Sequence, residues 1–253
     1  MTRWPEFLPV SSSGHLVIAE HLLQNWRGPG ITFEVVLHLA TLLAVVIFFR
    51  RDLVRLLRAI FPADNNKEQR HLLAMLILGT IPTGIIGICG KKFFTQAFSR
   101  LDLVGLMLLV TAFLLWFAER KQKNRASGHD INGLFAVIIG LVQGLAILPG
   151  ISRSGSTIAV GILLGLTGRD AARFSFLLSI PAICGAALLN LKEISSINAN
   201  DIPLYACGFM AALLTGLASL KLLMMIIEQK RLQFFACYCF VLGAGILLLT
   251  SFF

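Results

Sequence analysis

Charge is what this sequence has least of. Charged side chains make up 14% of its 253 residues, and 57% are hydrophobic, with a mean hydropathy of +0.81. A soluble domain carries roughly a quarter charged residues, so that class is excluded. Cysteine is also scarce. The five cysteines, Cys89, Cys184, Cys207, Cys237 and Cys239, lie in or beside apolar runs. Cys237 and Cys239 form the one close pair, C-x-C, and no second Cys or His pair accompanies it. A zinc or disulfide framework is therefore not indicated, and these read as small buried hydrophobes. There is no Walker loop, no dinucleotide fingerprint and no H-E-x-x-H pattern. Strands of alternating character are missing too, which argues against a closed β-barrel. No cleavable signal peptide precedes the first polar stretch, so the spans themselves are expected to direct insertion.

What is present is a series of apolar runs near twenty residues, each about enough to cross a hydrocarbon core of roughly 30 Å. Six read as full crossings, at about 33–49, 71–90, 102–118, 171–191, 203–227 and 233–252. Two further segments are broken by Pro, Gly and Ser: residues 8–24, and the pair 131–148 and 150–166. A broken helix leaves backbone N–H and C=O groups unpaired, which hydrocarbon tolerates only where protein or a cavity covers the break. These segments are expected to be re-entrant helical hairpins. The fold class is an all-α polytopic membrane protein, a single integral membrane domain over 1–253.

The two broken segments resemble each other. FLPVSSSG (7–14) aligns with ILPGISRSG (147–155) after one insertion, and FEVVLHLA (33–40) matches FSFLLSIP (174–181) in register. Each half then holds one re-entrant element followed by three crossings, over 1–118 and 131–253. An odd number of crossings places the second half upside down, an inverted-topology repeat whose broken elements meet near the midplane. Loop charge agrees: 14 Lys and Arg fall on one predicted side and 6 on the other. The positive-inside rule puts the richer side in the cytoplasm. It also accounts for the net charge of +9 without a nucleic-acid partner.

The polar residues cluster at the two breaks. Glu6, Ser11, Ser12, Ser13 and His15 sit at one, and Ser152, Arg153, Ser154, Ser156 and Thr157 at the other. An arginine at this depth costs at least roughly 2.5–3.5 kcal/mol on insertion scales, so Arg153 calls for an anion. A glycine-relaxed turn opening a helix, with hydroxyls beside a guanidinium, suits a phosphate. Pairing of Arg153 with Glu6 or Glu34 purely for helix packing would leave the excess of Ser and Gly unexplained. His38 and Glu34, one helical turn apart, are candidates to support the site. Glu20, His21, His71 and His129 fall near interfaces or loops.

At these two motifs the chain resembles the undecaprenyl-diphosphatase family of bacterial membrane enzymes, the bacitracin-resistance type. EFLPVSSSGHL and PGISRSGSTI look like its two signatures, and TFEVVLHLATLLAVV and RFSFLLSIPA extend the likeness along essentially the whole chain. The resemblance implies hydrolysis of undecaprenyl diphosphate to undecaprenyl phosphate and inorganic phosphate, recycling the lipid carrier of peptidoglycan synthesis. It implies an inner-membrane enzyme facing the periplasm, a divalent cation (Mg²⁺ or Ca²⁺) and a prenyl diphosphate lipid as substrate among membrane lipids. Monomer and homodimer both stay open. Residue by residue, it places the motif carboxylate and metal ligand on Glu6, and the catalytic groups on Ser12, His15 and Arg153. Ser11, Ser13, Ser152, Ser154 and Thr157 become substrate-binding positions.

There is one departure. The family has a helix before the first motif, ending in an acidic or amide residue four positions ahead of the Glu6 equivalent. Here that position is Thr2, whereas Gln143-Gly144 keeps the counterpart in the second half. The first hairpin is expected to lack one arm, through a truncated start or a lost ligand with reduced activity. A lipid-phosphate transporter or flippase on the same scaffold is the rival class, since inverted repeats and broken helices are equally at home in carriers.

Overall fold

A computed structural model describes residues 7–22, 30–61, 66–123, 128, 130–189 and 202–252. Eleven helices run through them: α1 (Ser12–Leu22), α2 (Gly30–Phe48), α3 (Arg50–Ala59), α4 (Lys67–Cys89), α5 (Lys91–Ala97), α6 (Leu101–Lys123), α7 (Gly133–Leu145), α8 (Arg153–Leu164), α9 (Gly168–Leu189), α10 (Ile202–Glu228) and α11 (Gln233–Phe252). No strand occurs among the described residues.

Five described helices, α4, α6, α9, α10 and α11, are long and apolar enough to cross a membrane. The 23 residues of α4 or α6 span about 35 Å at 1.5 Å per residue, slightly more than the hydrocarbon core. The sixth expected crossing falls on α2, whose stretch Val35–Phe48 belongs with the shorter apolar helices. α7 and α8 have 13 and 12 residues, about 20 Å each, too short to cross alone. They form a hairpin whose apex is the second polar segment. The chain is thus an all-helical, multi-pass membrane protein.

Local chemistry fixes the helix ends. Asn132 caps α7 by accepting from the Phe135 N–H at 3.0 Å, and Thr167 accepts from the Asp170 N–H at 3.1 Å ahead of α9. Gly165, with φ of 115°, closes α8; its own N–H and that of Leu166 both reach the Gly161 carbonyl, at 3.2 and 3.0 Å.

Residues 50–59, expected as a cytoplasmic loop, instead form α3. Leu56 and Ala59 are buried, while Arg51, Arg55 and Arg58 are exposed. That division is what a helix lying in the headgroup region requires. The Arg173 guanidinium of α9 reaches Asp52 of α3 at 2.6 Å and ties this surface helix to the bundle. Nearby on α6, Glu119 is 3% exposed. It pairs with Lys123 and accepts from the Gln233 N–H that opens α11.

The core is a continuous layer of Phe7, Phe49, Leu115, Ile139, Ile158, Phe176, Leu178 and Leu220. Phe176 of α9 contacts both Phe7 before α1 and Phe49 after α2, with ring centroids 5.9 and 5.8 Å away. α6 and α11 cross where Gly105 and Gly243 face each other. A Cβ on Gly243 would lie 2.8 Å from the Gly105 carbonyl oxygen. Small residues permit such an approach, and in lipid this packing rather than hydrophobicity holds helices together.

Candidate active site

The two polar segments meet. A Cβ added to Gly14 would lie 3.2 Å from Gly150 Cα, and one on Gly155 would lie 2.9 Å from Pro9 Cβ. The contacts are reciprocal: each segment's Ser-Gly turn touches the other segment's proline turn. A methyl at Gly155 would force the tips apart, and one at Gly14 would be tight. Residues of both segments then border one cavity of about 190 Å³, among them Ser11, Ser12, Ser13, Ser152 and Arg153, with His38 from α2 and Gln143 from α7. That is room for several waters. It fits a phosphate headgroup but not a lipid chain.

On the first segment, Ser11 precedes α1 with φ of 60°, a left-handed conformation uncommon for a residue with a side chain. Its Oγ accepts from the Gly14 N–H at 3.3 Å, and its carbonyl accepts from the His15 N–H at 3.2 Å. Ser11 is therefore the N-cap of α1, 3% exposed, and the following Ser12 and Ser13 are half-buried at the cavity.

The second segment repeats this design. Ser152 is the N-cap of α8, accepting from the Gly155 N–H at 3.1 Å. Gly150, at φ of 98°, supplies the left-handed turn, and a Cβ there would meet the Val104 carbonyl oxygen at 2.5 Å. Both α1 and α8 thus start at the cavity. First-turn amides have no partner inside their helix, so two positive helix ends converge on one volume. With the Arg153 guanidinium, this arrangement suits an anion.

One residue of α6 holds the second tip in place. Thr111 is fully buried; its Oγ1 accepts from the Ser152 N–H at 3.1 Å and donates toward the carbonyls of Gly150 and Met107, also at 3.1 Å. Thr157 sits one turn into α8, fully buried and off the cavity wall. Its hydroxyl donates to the Arg153 carbonyl at 2.7 Å and lies 2.5 Å from Ser175 Oγ of α9. The structure therefore places Thr157 under the arginine's backbone. Ser154 is likewise buried, 3.5 Å from Ser152 Oγ. Gln143 is 2% exposed and gives its amide nitrogen to the Leu178 carbonyl at 3.2 Å.

His15 is placed differently from the serines. Its Nδ1 lies 2.8 Å from the Ser11 carbonyl, so it carries the proton and donates. Its Nε2 lies 2.6 Å from Tyr238 Oη of α11, and in the neutral ring accepts from that phenol. With both nitrogens engaged, the imidazole is not bonded to Ser12. Tyr238 and Thr111 are absent from the motifs, and Ser175 lies in the RFSFLLSIPA stretch without standing out there. The signal that marks Tyr238 is rarity, one of two tyrosines in the chain, set in an apolar crossing.

Glu6 lies outside the described residues, and of the Glu34 side chain nothing is described. Among the described residues no group of three His, Cys, Asp or Glu could hold a metal ion. The described cavity wall offers hydroxyls, an imidazole, an amide and a guanidinium, a set suited to an anion.

Comparison with known proteins agrees along nearly the whole chain. The family model described as bacitracin resistance protein BacA matches residues 4–245. An undecaprenyl-diphosphatase of Syntrophotalea carbinolica is 48% identical over 247 residues, 97% of this chain and 94% of the relative. One from Desulfosudis oleivorans is 45% identical, covering 94% of this chain and 91% of the relative. One from Methanosphaera stadtmanae is 41% identical, covering 97% and 93%. By motif, architecture and sequence, this chain belongs to the bacitracin resistance protein BacA family.

Proposed function

We propose that the cavity binds the diphosphate headgroup of a prenyl lipid and that the protein hydrolyses undecaprenyl diphosphate to undecaprenyl phosphate and inorganic phosphate. This recycles the lipid carrier of peptidoglycan synthesis and confers bacitracin resistance. The observation that carries the reading is the shared cavity, with the serines of one segment facing Ser152 and Arg153 of the other. The relatives' names supply the substrate.

A diphosphate needs its charge neutralised more than it needs covalent help. Arg153 and the first amides of α1 and α8 clamp the terminal phosphate and gain strength as charge builds on its oxygens. Ser12 Oγ attacks that phosphorus while the bond to the bridging oxygen breaks, releasing undecaprenyl phosphate. The serine's proton passes to His15 Nε2 once the ring turns from Tyr238. Water then hydrolyses the phosphoserine, restoring Ser12 and freeing inorganic phosphate. In the alternatives His15 itself attacks the phosphorus, forming a phosphohistidine that water then hydrolyses, or deprotonates a water that attacks it directly. A divalent cation, Mg²⁺ or Ca²⁺, would be held by Glu6 and would add charge neutralisation.

The halves 1–118 and 131–253 act as inverted repeats within one integral domain. Reciprocal packing of Pro9 on Gly155 and Gly14 on Gly150 supports that reading. The protein belongs in the bacterial inner membrane, with α3 at the cytoplasmic face and the cavity opening toward the periplasm. A homodimer is compatible with this arrangement.

The test is phosphate release from undecaprenyl diphosphate by purified protein in detergent, with no gradient. Release supports hydrolysis. Lipid-phosphate movement across vesicles with no release would replace the enzyme reading by transport. Near-normal turnover by Ser12→Ala would eliminate the serine nucleophile and leave the two His15 mechanisms.

A further inference from the structure

Apart from the headgroup cavity there is a second, larger concavity. It is an open groove of about 810 Å³ between α6 and α11, lined by Ala112, Phe113, Trp116, Phe234, Tyr238 and Val241 among others. Phe113, Phe234 and Val241 are at least half exposed, so the groove faces lipid. Bilayer chains are as apolar as its walls, so hydrophobicity alone would not select an occupant. Tyr238 sets this groove apart from a plain apolar surface. It is 47% exposed in the groove, yet its phenol lies 2.6 Å from His15 Nε2. The two rings are within 4° of parallel, with centroids 5.6 Å apart. One side chain therefore lines the apolar groove and also holds the imidazole of the first polar segment.

Resting on the hydrolase reading above, we propose that Tyr238 is a positioning residue joining the two. Its ring packs against the prenyl chain of the substrate in the α6/α11 groove, while its hydroxyl sets the orientation of His15.

Three points support this. A lipid diphosphate has one polar and one apolar end, and its covalent link forces both to lie where the two environments adjoin. Tyr238 is such a junction, and its amphipathic ring suits it. His15 is otherwise held at one nitrogen only, by the Ser11 carbonyl; a second contact at Nε2 restrains the ring in the resting site, and the ring leaves it only to take the serine's proton. The orientation also gives the substrate a polarity: the terminal phosphate lies among Ser12, Ser152 and Arg153, and the lipid-bearing phosphate toward Tyr238. The chain is retained by dispersion against aromatic walls and by attachment to a clamped headgroup, so its contribution is modest.

The experiment uses the full chain in detergent with two substrates, undecaprenyl diphosphate and methyl diphosphate, which has no chain. Tyr238→Phe keeps the ring and loses the hydroxyl. It is expected to lower kcat about tenfold on both substrates with KM within twofold. Tyr238→Ala should show the same kcat loss and raise KM about fivefold for the undecaprenyl substrate alone. In ¹⁵N-histidine NMR, Tyr238→Phe should shift the Nε2 resonance assigned to His15 by its disappearance in His15→Gln. Wild-type kcat with an unmoved resonance in Tyr238→Phe would overturn the positioning role. An equal KM change on both substrates in Tyr238→Ala would overturn the chain contact. Should Tyr238→Ala fail to fold, a diazirine-bearing undecaprenyl diphosphate must label wild-type protein between Phe234 and Val241; labelling confined to other helices overturns the contact. If wild-type protein releases phosphate from neither substrate, the hydrolase reading fails, and the Nε2 resonance and the label still decide the Tyr238 proposal.

Discussion

Thr111→Val isolates how the second tip is held. The two side chains have nearly the same shape, so helix α6 and its packing are preserved, and only the hydroxyl is lost. That hydroxyl accepts from the Ser152 N–H and donates toward the Gly150 carbonyl, each at 3.1 Å, in a fully buried position. Valine leaves a buried N–H without its acceptor, at about 1–3 kcal/mol, and weakens a carbonyl that has other options at lower cost. The sum is about 2–3 kcal/mol, which in a chain of this size lowers the unfolding midpoint by roughly 5–10 °C. Activity should fall further than stability does. Ser152 caps α8 and adjoins Arg153 at the cavity, and a shift of about 1 Å in a positioning element costs on the order of 100-fold in rate. Thr111→Ser keeps the hydroxyl and loses a methyl, so it should cost about 1 kcal/mol in packing while retaining turnover. The assay pairs phosphate release with thermal unfolding in detergent. Turnover and midpoint of Thr111→Val both indistinguishable from wild type would refute the claim that α6 holds the second tip.

Two further outcomes follow from the same geometry. Gly155→Ala puts a methyl 2.9 Å from Pro9 Cβ, so the tips must separate; kcat/KM should drop at least tenfold while circular dichroism keeps its helical signal. Glu6→Gln should raise the concentration of Mg²⁺ or Ca²⁺ needed for half-maximal phosphate release by about tenfold or more, read by titrating chelator-treated protein; an unchanged requirement removes Glu6 as a ligand.

Much of this organisation is legible in the amino-acid string because lipid imposes simple rules. Runs of apolar residues mark α4, α6, α10 and α11 within a few residues. The helices run slightly past the apolar limits, as at Lys67 and at Arg120–Lys123, because long basic side chains reach the headgroup layer. Polar residues in so apolar a chain point to both tips, since burial is too costly to be incidental. The meeting of those tips follows from the likeness of FLPVSSSG to ILPGISRSG. Less visible is α3, where four arginines in ten residues hide a helical period behind the charge of a loop. Least visible are the supports. Tyr238 reaches His15 across 223 positions, and Thr111 reaches Ser152 across 41. A hydroxyl on an apolar helix looks the same in sequence whether it braces a site or bonds its own backbone, as Thr215 does to the Ala211 carbonyl at 2.7 Å. Only the packing of distant segments separates the two. Thr157 shows the converse: it lies inside a signature motif, yet its hydroxyl bonds its own helix at the Arg153 carbonyl and meets Ser175 Oγ of α9.

The central claim is that two segments about 140 residues apart in sequence form one phosphate site. A double-mutant cycle between the tips tests it most directly, using Ser13→Ala and Arg153→Lys so that residual rates stay measurable. Residues that act as a unit on one phosphate are strongly non-additive. The account predicts that the double variant loses at least about tenfold less kcat/KM than the product of the two single losses. Losses that simply multiply would show that the tips act independently, and would contradict a shared site.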